Sequence, residues 1–300
     1  KILKGEIQDE LKDPESELQP AAAGIDPKTG QRITTKLPIK STISKMLTNQ
    51  LLTGDQATLA KELNENVYPI ICDVTNPEQV NDLARYVKEI SLNGLLDGLI
   101  NNAAIEIVSP IEFQDLEDTR TLFETNLFGL MHVTQTLLPL LGTSSKANKH
   151  TGRIINVSSV GGVLSLPFLS AYATTKHALE GYSHSLRREL SLFGIKVIIL
   201  APGAIKSKIW EKDQLDKKSY NGSRYEQPFK SFKKMMVKAE KNAASSASIA
   251  KFTLKIFETS SPKVRYTFTP GRFFNWTLPS ILPHKGVDFI FNKVISLSKK

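Results

Sequence analysis

Apolar residues along the chain fall into short runs and into longer stretches with helical spacing. Short apolar runs between turn residues are typical of strands, and apolar positions recurring every three to four residues indicate amphipathic helices. The pattern predicts strands at 67–72, 96–101, 154–157, 196–201 and 265–269. It predicts helices at 77–90, 116–141, 171–192 and 287–297. Asn76 and Pro77 are a typical N-cap and first residue for the first of these helices.

The order of these elements predicts the fold class. Strands that alternate with helices favour an α/β protein with a doubly wound parallel sheet. A chain of 300 residues, 40% of them hydrophobic, can bury one sizeable core, and α/β sheets of this length often form one unit. We therefore expect a single domain.

The candidate chemistry lies within residues 153–208. Tyr172 and Lys176 are four positions apart in the predicted helix 171–192, so their side chains project from one face. An ammonium beside a phenol favours the phenolate, so Lys176 is expected to lower the pKa of Tyr172 from its usual value of about 10. Tyr172 is therefore a candidate general acid and base.

Further residues in the same order make a resemblance specific. Ser159 precedes Tyr172, Asn101-Asn102-Ala103-Ala104 ends a predicted strand, Asn126 lies in the long helix, and Pro202-Gly203 closes the strand 196–201. Together these residues resemble the short-chain dehydrogenase/reductase family, and the wording of 169–203 is most similar to its retinol and hydroxysteroid dehydrogenase branch. The resemblance implies a Rossmann-like fold and an NAD(P)-dependent oxidoreductase.

The resemblance also implies roles for individual residues. Tyr172 would exchange a proton with the substrate oxygen, which Ser159 would hold, with Ser158 as the alternative serine. Lys176 would hold the cofactor ribose, and Asn126 would hold a water that links Lys176 to solvent. The cofactor, NAD or NADP, would be contacted by Asp73, Val74, Asn101, Ala103, Tyr172, Lys176, Pro202, Gly203, Ile205 and Ser207. The resemblance implies no metal.

The beginning of the chain departs from the family pattern. Residues 1–66 contain no T-G-x-x-x-G-x-G sequence, the glycine turn on which a dinucleotide pyrophosphate rests. We expect the first βα unit to be aberrant or missing. Residues 1–45 are then an atypical segment with the polar composition of a loop or disordered arm, and 46–300 are the Rossmann-like domain, with a lid at about 204–242.

Two functions of different class follow from these observations. One is an oxidoreductase that interconverts an apolar secondary alcohol and a ketone, or acts on a retinol- or steroid-like alcohol. The other is a dehydrogenase-like binding or interaction protein that has lost dinucleotide binding. The complete set of Asn126, Ser159, Tyr172 and Lys176 favours the first, and the missing glycine turn favours the second.

The positive charge of the chain bears on its partners. Of the net charge of +9, much lies in residues 206–241, which hold eleven Lys and Arg against five Asp and Glu. A solvated lid helix, an anionic substrate and an acidic membrane surface each explain this charge. Five aromatic residues near the end would suit either a lipid interface or core packing: Phe273, Phe274, Trp276, Phe289 and Phe291. No recognition motif accompanies the charge, so we expect no nucleic-acid partner.

The compartment is predicted from a single cysteine and from hydropathy. Cys72 cannot form an intramolecular disulfide, which favours a reducing compartment. No apolar run approaches the ~20 residues of a membrane span, and no signal-peptide pattern opens the sequence. We expect a soluble cytoplasmic protein, with peripheral membrane contact and homo-oligomer formation left open.

Overall fold

A parallel β-sheet forms the centre of the computed structural model, which describes residues 68, 70–91, 94–142, 152–206, 220–295 and 297. Its four strands in the described part of the chain are β1 (Gly98–Asn101), β2 (Arg153–Val157), β3 (Lys196–Pro202) and β4 (Arg265–Phe268). They pair in the order β1-β2-β3-β4, and every pair is parallel.

Helices connect and cover these strands. Before β2 lie α1 (Pro77–Ile90), α2 (Leu116–Phe123) and α3 (Leu130–Leu137). Between β2 and β4 lie α4 (Ser170–Glu189), α5 (Glu226–Lys241) and α6 (Ser246–Glu258), and after β4 come α7 (Leu278–Ile281) and α8 (His284–Ile295). Short 3₁₀ turns lie at Ile111–Phe113, Leu138–Leu141, Val160–Gly162 and Leu190–Phe193. None of the helices in the described ranges combines the length and apolar content needed to cross a bilayer.

Side chains of the central strands alternate between two apolar layers, as the pleat requires. Ile154 and Val197 face one layer, which includes Leu186 of α4. Ile155 and Ile198 face the other layer with Ile256 of α6. Helices therefore cover both faces of the sheet, and the prediction of a single-domain, doubly wound α/β fold is confirmed.

The first helix has the bounds that its sequence predicts. The Asn76 side chain accepts hydrogen bonds from the backbone N–H groups of Glu78 and Gln79, and Pro77 occupies the first helical position. The later strands and helices differ from their predicted ends by at most three residues. One prediction is wrong: the described residues of the run 67–72 form no strand, and Tyr68 and Ile71 are about half exposed at 47% and 50%. Pro69, within this run, lacks the N–H that a ladder needs.

The long helix predicted at 116–141 is continuous but not uniform. A π-helical segment, Glu124–Gly129, joins α2 to α3, and a 3₁₀ turn at Leu138–Leu141 ends the run. Asn126 lies within the π-helical segment and is fully buried. π-Bulges of this kind occur frequently at functional sites.

The predicted lid contains one helix in the described residues. The inner face of α5 carries Phe229, Phe232 and Met236, which pack with Phe168 before α4 and with Ile295 of α8. Residues 207–219 of the lid and the segment 1–45 lie outside the described residues, so the predicted domain bounds stay predictions.

Candidate active site

A cavity of about 560 Å³ opens at the carboxyl ends of the parallel strands, where ligands of such sheets bind. Val157 and Ser159 border it at the end of β2, and Pro202 and Gly203 at the end of β3. Helix α4 contributes Tyr172 and Lys176 to the same cavity. The fold thus brings together residues that are up to 46 positions apart among those named, from Val157 to Gly203.

Ser159 and Tyr172 are joined directly. The Ser159 hydroxyl hydrogen-bonds the Tyr172 oxygen and accepts the backbone N–H of Gly161 at 3.0 Å. A Cβ at Gly161 would lie 3.3 Å from the Ser159 oxygen. Ser158 is used differently, because its hydroxyl donates to Glu180 at 2.8 Å. Of the two adjacent serines, Ser159 is the one bonded to the tyrosine.

Lys176 is buried, with 2% of its surface exposed. Its ammonium donates to the carbonyl oxygen of Val157 at 3.1 Å and lies 5.7 Å from the centre of the Tyr172 ring. Burial lowers the pKa of Lys176 to about 8, and the nearby charge of Glu106 opposes that shift. Lys176 therefore places a titratable cation beside the phenol.

The pKa of Tyr172 differs from the expectation drawn from its spacing to Lys176. Burial raises the pKa of Tyr172 well above its ordinary value, the Glu106 carboxylate raises it further, and only the Ser159 hydrogen bond opposes the rise. Desolvation of a buried phenolate costs more than one hydrogen bond returns. In this structure Tyr172 is a protonated phenol at neutral pH.

Asn126 fixes the backbone of the loop after β1. Its side-chain oxygen accepts the N–H of Ile105 at 2.8 Å, and its amide nitrogen donates to the carbonyl oxygen of Ile105 at 2.9 Å. The same nitrogen lies 3.2 Å from the hydroxyl of Thr175, the residue before Lys176. The side chain thus ties the loop to α4, and its predicted water-holding role stays a prediction.

Asn101 is directed into the protein interior. Its amide nitrogen donates to Thr134 at 2.9 Å and to Asn156 at 2.8 Å, and Asn156 in turn donates to Ser183 of α4 at 2.9 Å. This network holds the ends of β1 and β2 against their helices. The neighbouring Asn102 lines the cavity instead.

The remaining predicted cofactor residues divide into two groups. Ile205 and Gly203 both line the cavity. A Cβ atom added to Gly203 would lie 2.4 Å from the Thr269 hydroxyl oxygen, so this position has no room for a side chain. Three predicted residues are not part of the cavity wall: Asp73, Val74 and Ala103. Asp73 accepts hydrogen bonds from the N–H and hydroxyl of Thr75. Ser207 lies outside the described residues.

A largely apolar part of the cavity wall comes from parts of the chain that the motif does not include. Helix α5 contributes Met235 and Met236, and the C-terminal helix α8 contributes Ile290 and Phe291. Their spacing in amphipathic helices was the only sequence signal for them, and it predicts burial without saying against what.

Two buried glutamates also escaped the sequence analysis. Glu180 of α4 accepts from Arg265 of β4 at 2.9 Å through two guanidinium nitrogens, and the guanidinium lies 4.3 Å from the ring centre of Trp276. Gly162 packs so close that a Cβ would meet Glu180 at 2.6 Å. The second is Glu106, which lies in the cavity wall and has a pKa that burial raises to about 7, against the opposing charge of Lys176.

A partly buried tyrosine bonded to a serine, with a lysine one helical turn away at the strand ends of a doubly wound sheet, defines a class of dehydrogenases and reductases. A family model described as short chain dehydrogenase matches residues 39–218. The chain belongs to the short-chain dehydrogenase family.

Curated relatives and solved structures agree with this assignment. The chain is 31% identical over 234 residues to the NADPH-dependent 3-dehydrocapnine reductase of Ornithobacterium rhinotracheale, covering 76% of this chain and 82% of the relative. It is 38% identical over 157 residues to human retinol dehydrogenase 16, covering 52% of this chain and 47% of that protein. A short-chain dehydrogenase structure from Streptomyces avermitilis superposes with a TM-score of 0.61 at 26% identity, covering 81% of this chain and 85% of that one.

Proposed function

We propose that the protein is an NAD(P)-dependent oxidoreductase that interconverts an apolar secondary alcohol, or a retinol- or steroid-like alcohol, and its carbonyl compound. The observation that carries the proposal is the meeting of Ser159, Tyr172 and Lys176 at one cavity to which α5 and α8 contribute a largely apolar wall. Polar groups at one end and an apolar body are the features of a site that orients a small apolar ligand.

The residues present fit the nicotinamide end of the cofactor. The Lys176 ammonium has three donors, and its bond to Val157 leaves donors for ribose hydroxyls. Gly203 and Ile205 bring backbone close to the same cavity. When bound, NAD(P) supplies or accepts a hydride at the substrate carbon. Residues 1–67, which would include the pyrophosphate turn, lie outside the described residues.

The chain's own residues handle the proton. In the reducing direction Tyr172 gives its phenolic proton to the substrate oxygen, which the Ser159 hydroxyl holds in place. The high pKa of Tyr172 keeps that proton available at neutral pH. Lys176 then stabilises the phenolate that remains, because its cationic charge lies beside the ring.

Two relatives support the finer parts of this proposal. The name of the Ornithobacterium reductase includes NADPH dependence, and human retinol dehydrogenase 16 is named for an apolar alcohol. Both names describe those proteins, and they guide the choice of cofactor and substrates to assay here.

The test is a spectrophotometric assay of NADPH and NADH oxidation with a panel of aliphatic, steroid and retinoid carbonyl compounds. We expect turnover with at least one apolar compound and loss of turnover in Tyr172→Phe. Nucleotide binding without turnover of any panel member would contradict the proposed reaction.

The second candidate is a dehydrogenase-like binding protein without a dinucleotide site. It is favoured by the lack of T-G-x-x-x-G-x-G in residues 1–66, because side chains at those glycine positions obstruct a pyrophosphate. Calorimetric titration with NADH and NADPH separates the two candidates. Micromolar affinity would support the oxidoreductase, and no binding of either nucleotide would support the binding protein.

Peripheral contact with an acidic membrane is a further part of the proposal. The C-terminal region exposes three aromatic residues, Phe273, Phe274 and Phe289. The basic residues Arg272 and Lys285 lie close to them in the sequence, and this combination suits an anionic lipid surface. Co-sedimentation with phosphatidylserine vesicles, compared with phosphatidylcholine vesicles, tests it. Homo-oligomer formation stays a prediction that sedimentation velocity would decide.

A further inference from the structure

One buried acid in the cavity wall has no place in the reaction described above. Glu106 is 9% exposed, and in the described part of the chain no basic side chain lies within 4.0 Å of its carboxylate and no hydrogen bond reaches it. Burying a carboxylate without a partner is costly, and the cost is relieved either by protonation, in line with the raised pKa of Glu106, or by a cationic ligand in the cavity.

The position of Glu106 is built rather than incidental. It follows Ile105, whose N–H and carbonyl oxygen are both held by the buried Asn126 side chain. Both backbone polar groups of the residue before Glu106 are therefore held, which restricts where the Glu106 side chain starts. A carboxylate on a pinned loop is preorganised to receive a partner.

The charges around the cavity define what that partner is. Among its described lining residues, Glu106 is the only carboxylic acid and Lys176 and Lys238 are the only basic side chains. Lys176 already donates to Val157, and it is the group assigned to the cofactor ribose. Glu106 is thus the one acid among these lining residues, and its charge acts on Tyr172 as well as on Lys176.

We propose, resting on the function proposed above, that Glu106 binds an ammonium group on the substrate, on the carbon next to the reacting carbinol or carbonyl carbon. The substrate is then a vicinal amino alcohol or an α-amino ketone with an apolar body. Tyr172 and Ser159 receive its oxygen, Glu106 receives its amine, and the wall formed by α5 and α8 receives its apolar part. A carboxylate paired with an ammonium forms the stronger, charge-assisted type of hydrogen bond.

The test compares two alcohols of the same carbon skeleton: norephedrine, which carries the amine, and 1-phenyl-1-propanol, which lacks it. With NADP or NAD, the protein should oxidise norephedrine with a kcat/KM roughly tenfold to a hundredfold higher, the range that a charge-assisted bond gives. Glu106→Gln should remove this preference, so that the ratio of the two kcat/KM values falls to about one. Equal kcat/KM values for the two alcohols in the unaltered protein would overturn the proposal, while the oxidoreductase function would stand.

A matched variant separates amine recognition from a structural role. Glu180→Gln also neutralises a buried carboxylate, but one that is paired with Arg265 away from the amine. It should reduce stability and retain the preference for norephedrine. Retention of the preference in Glu106→Gln would also overturn the proposal.

Two further measurements keep the inference independent of turnover and of the variant's folding. Calorimetry should detect norephedrine binding to the unaltered protein in the presence of NADPH and not to Glu106→Gln, even if neither alcohol is oxidised; absence of binding to the unaltered protein would refute the inference. In the unaltered protein, the amine preference should decline as the pH falls below about 7, where Glu106 takes up a proton while Lys176 stays charged. A preference that is constant across this range would contradict it.

Discussion

The two walls of the cavity are built in different ways. The wall at the strand ends is polar and held by hydrogen bonds, in which Ser159, Lys176 and Asn126 each contact a specific backbone group. The wall from α5 and α8 is apolar apart from Lys238 and is held by packing, with Met236 and Phe291 joined to the same cluster. Directional bonds fix the atoms that react, whereas apolar packing fixes only volume. The first wall therefore sets the chemistry, and the second sets the size and shape of what reacts.

The largest effect is expected from removing the proton donor on the polar wall. Tyr172→Phe should lower kcat by about 10²–10⁴ while changing nucleotide affinity little, because only the proton-transfer group is lost. Steady-state kinetics and calorimetry measure the two quantities. Tyr182→Phe is the control, since Tyr182 lies on the same helix but does not line the cavity. An equal loss of nucleotide binding in Tyr172→Phe would show that the tyrosine has a different role.

Stability should be most sensitive where the polar wall is tied to β4. Glu180→Gln leaves the Arg265 guanidinium without its carboxylate, and we expect the free energy of unfolding to fall by about 3 kcal/mol. Denaturant unfolding measures this change. Glu117→Gln removes the exposed pair with Arg120 and should change stability by less than about 1 kcal/mol. A similar loss of unfolding free energy in both variants would mean that the buried pair stabilises the fold no more than the exposed pair does.

Glu106 should make stability depend on pH in a defined direction. Its folded pKa of about 7 lies above the ordinary value of 4.5, so the folded state holds the proton more tightly and loses stability as the pH rises between these values. Glu106→Gln should therefore stabilise the protein more at about pH 8 than at about pH 5, by up to about 3 kcal/mol. Thermal unfolding at the two pH values checks the difference. A pH-independent difference would show that Glu106 is not buried as described.

The smallest effect is expected on the apolar wall. Ile290→Ala should raise KM for an apolar substrate roughly tenfold and leave kcat nearly unchanged, because the lost contact is the same in the ground and transition states. Phe289→Ala is the control, since the neighbouring Phe289 is 68% exposed and does not line the cavity. A kcat loss in Ile290→Ala would mean that this wall also orients the reacting atoms.

Sequence reasoning predicted the polar wall much better than the apolar one. Parallel strands end on one edge of a sheet, so Ser159 and Pro202 could be placed together from the order of strands alone. The helix Pro77–Ile90 was predicted residue by residue because its cap and its proline are local signals. The contact between α5 and α8 depends on packing between segments that are far apart in the chain. Hydrophobic periodicity predicts that each helix has a buried face, but it does not identify the segment that covers it.

Two other features could not be read from the sequence for a different reason. The spacing of Tyr172 and Lys176 predicts that they are neighbours, but the direction of the Tyr172 pKa depends on burial and on Glu106, which no local pattern reports. Glu106 itself is a single acid in a loop, with no periodic or motif signal. Its importance appears only once Asn126 and the cavity are seen in three dimensions.

The π-helical segment Glu124–Gly129 has a consequence for how one helix serves two neighbours. A single wide turn changes the angular phase of the helix, so residues before and after it point in different directions. The portion before the turn, α2, packs against α4, while the portion after it, α3, packs against α1 and β1 and keeps contact with α4 through its first turn. Asn126 lies at the change of phase and reaches the loop that carries Glu106. The wide turn therefore sets the rotation of α3 about the helix axis relative to α2. Deleting one residue from it would rotate every later side chain of this helix by about 100°.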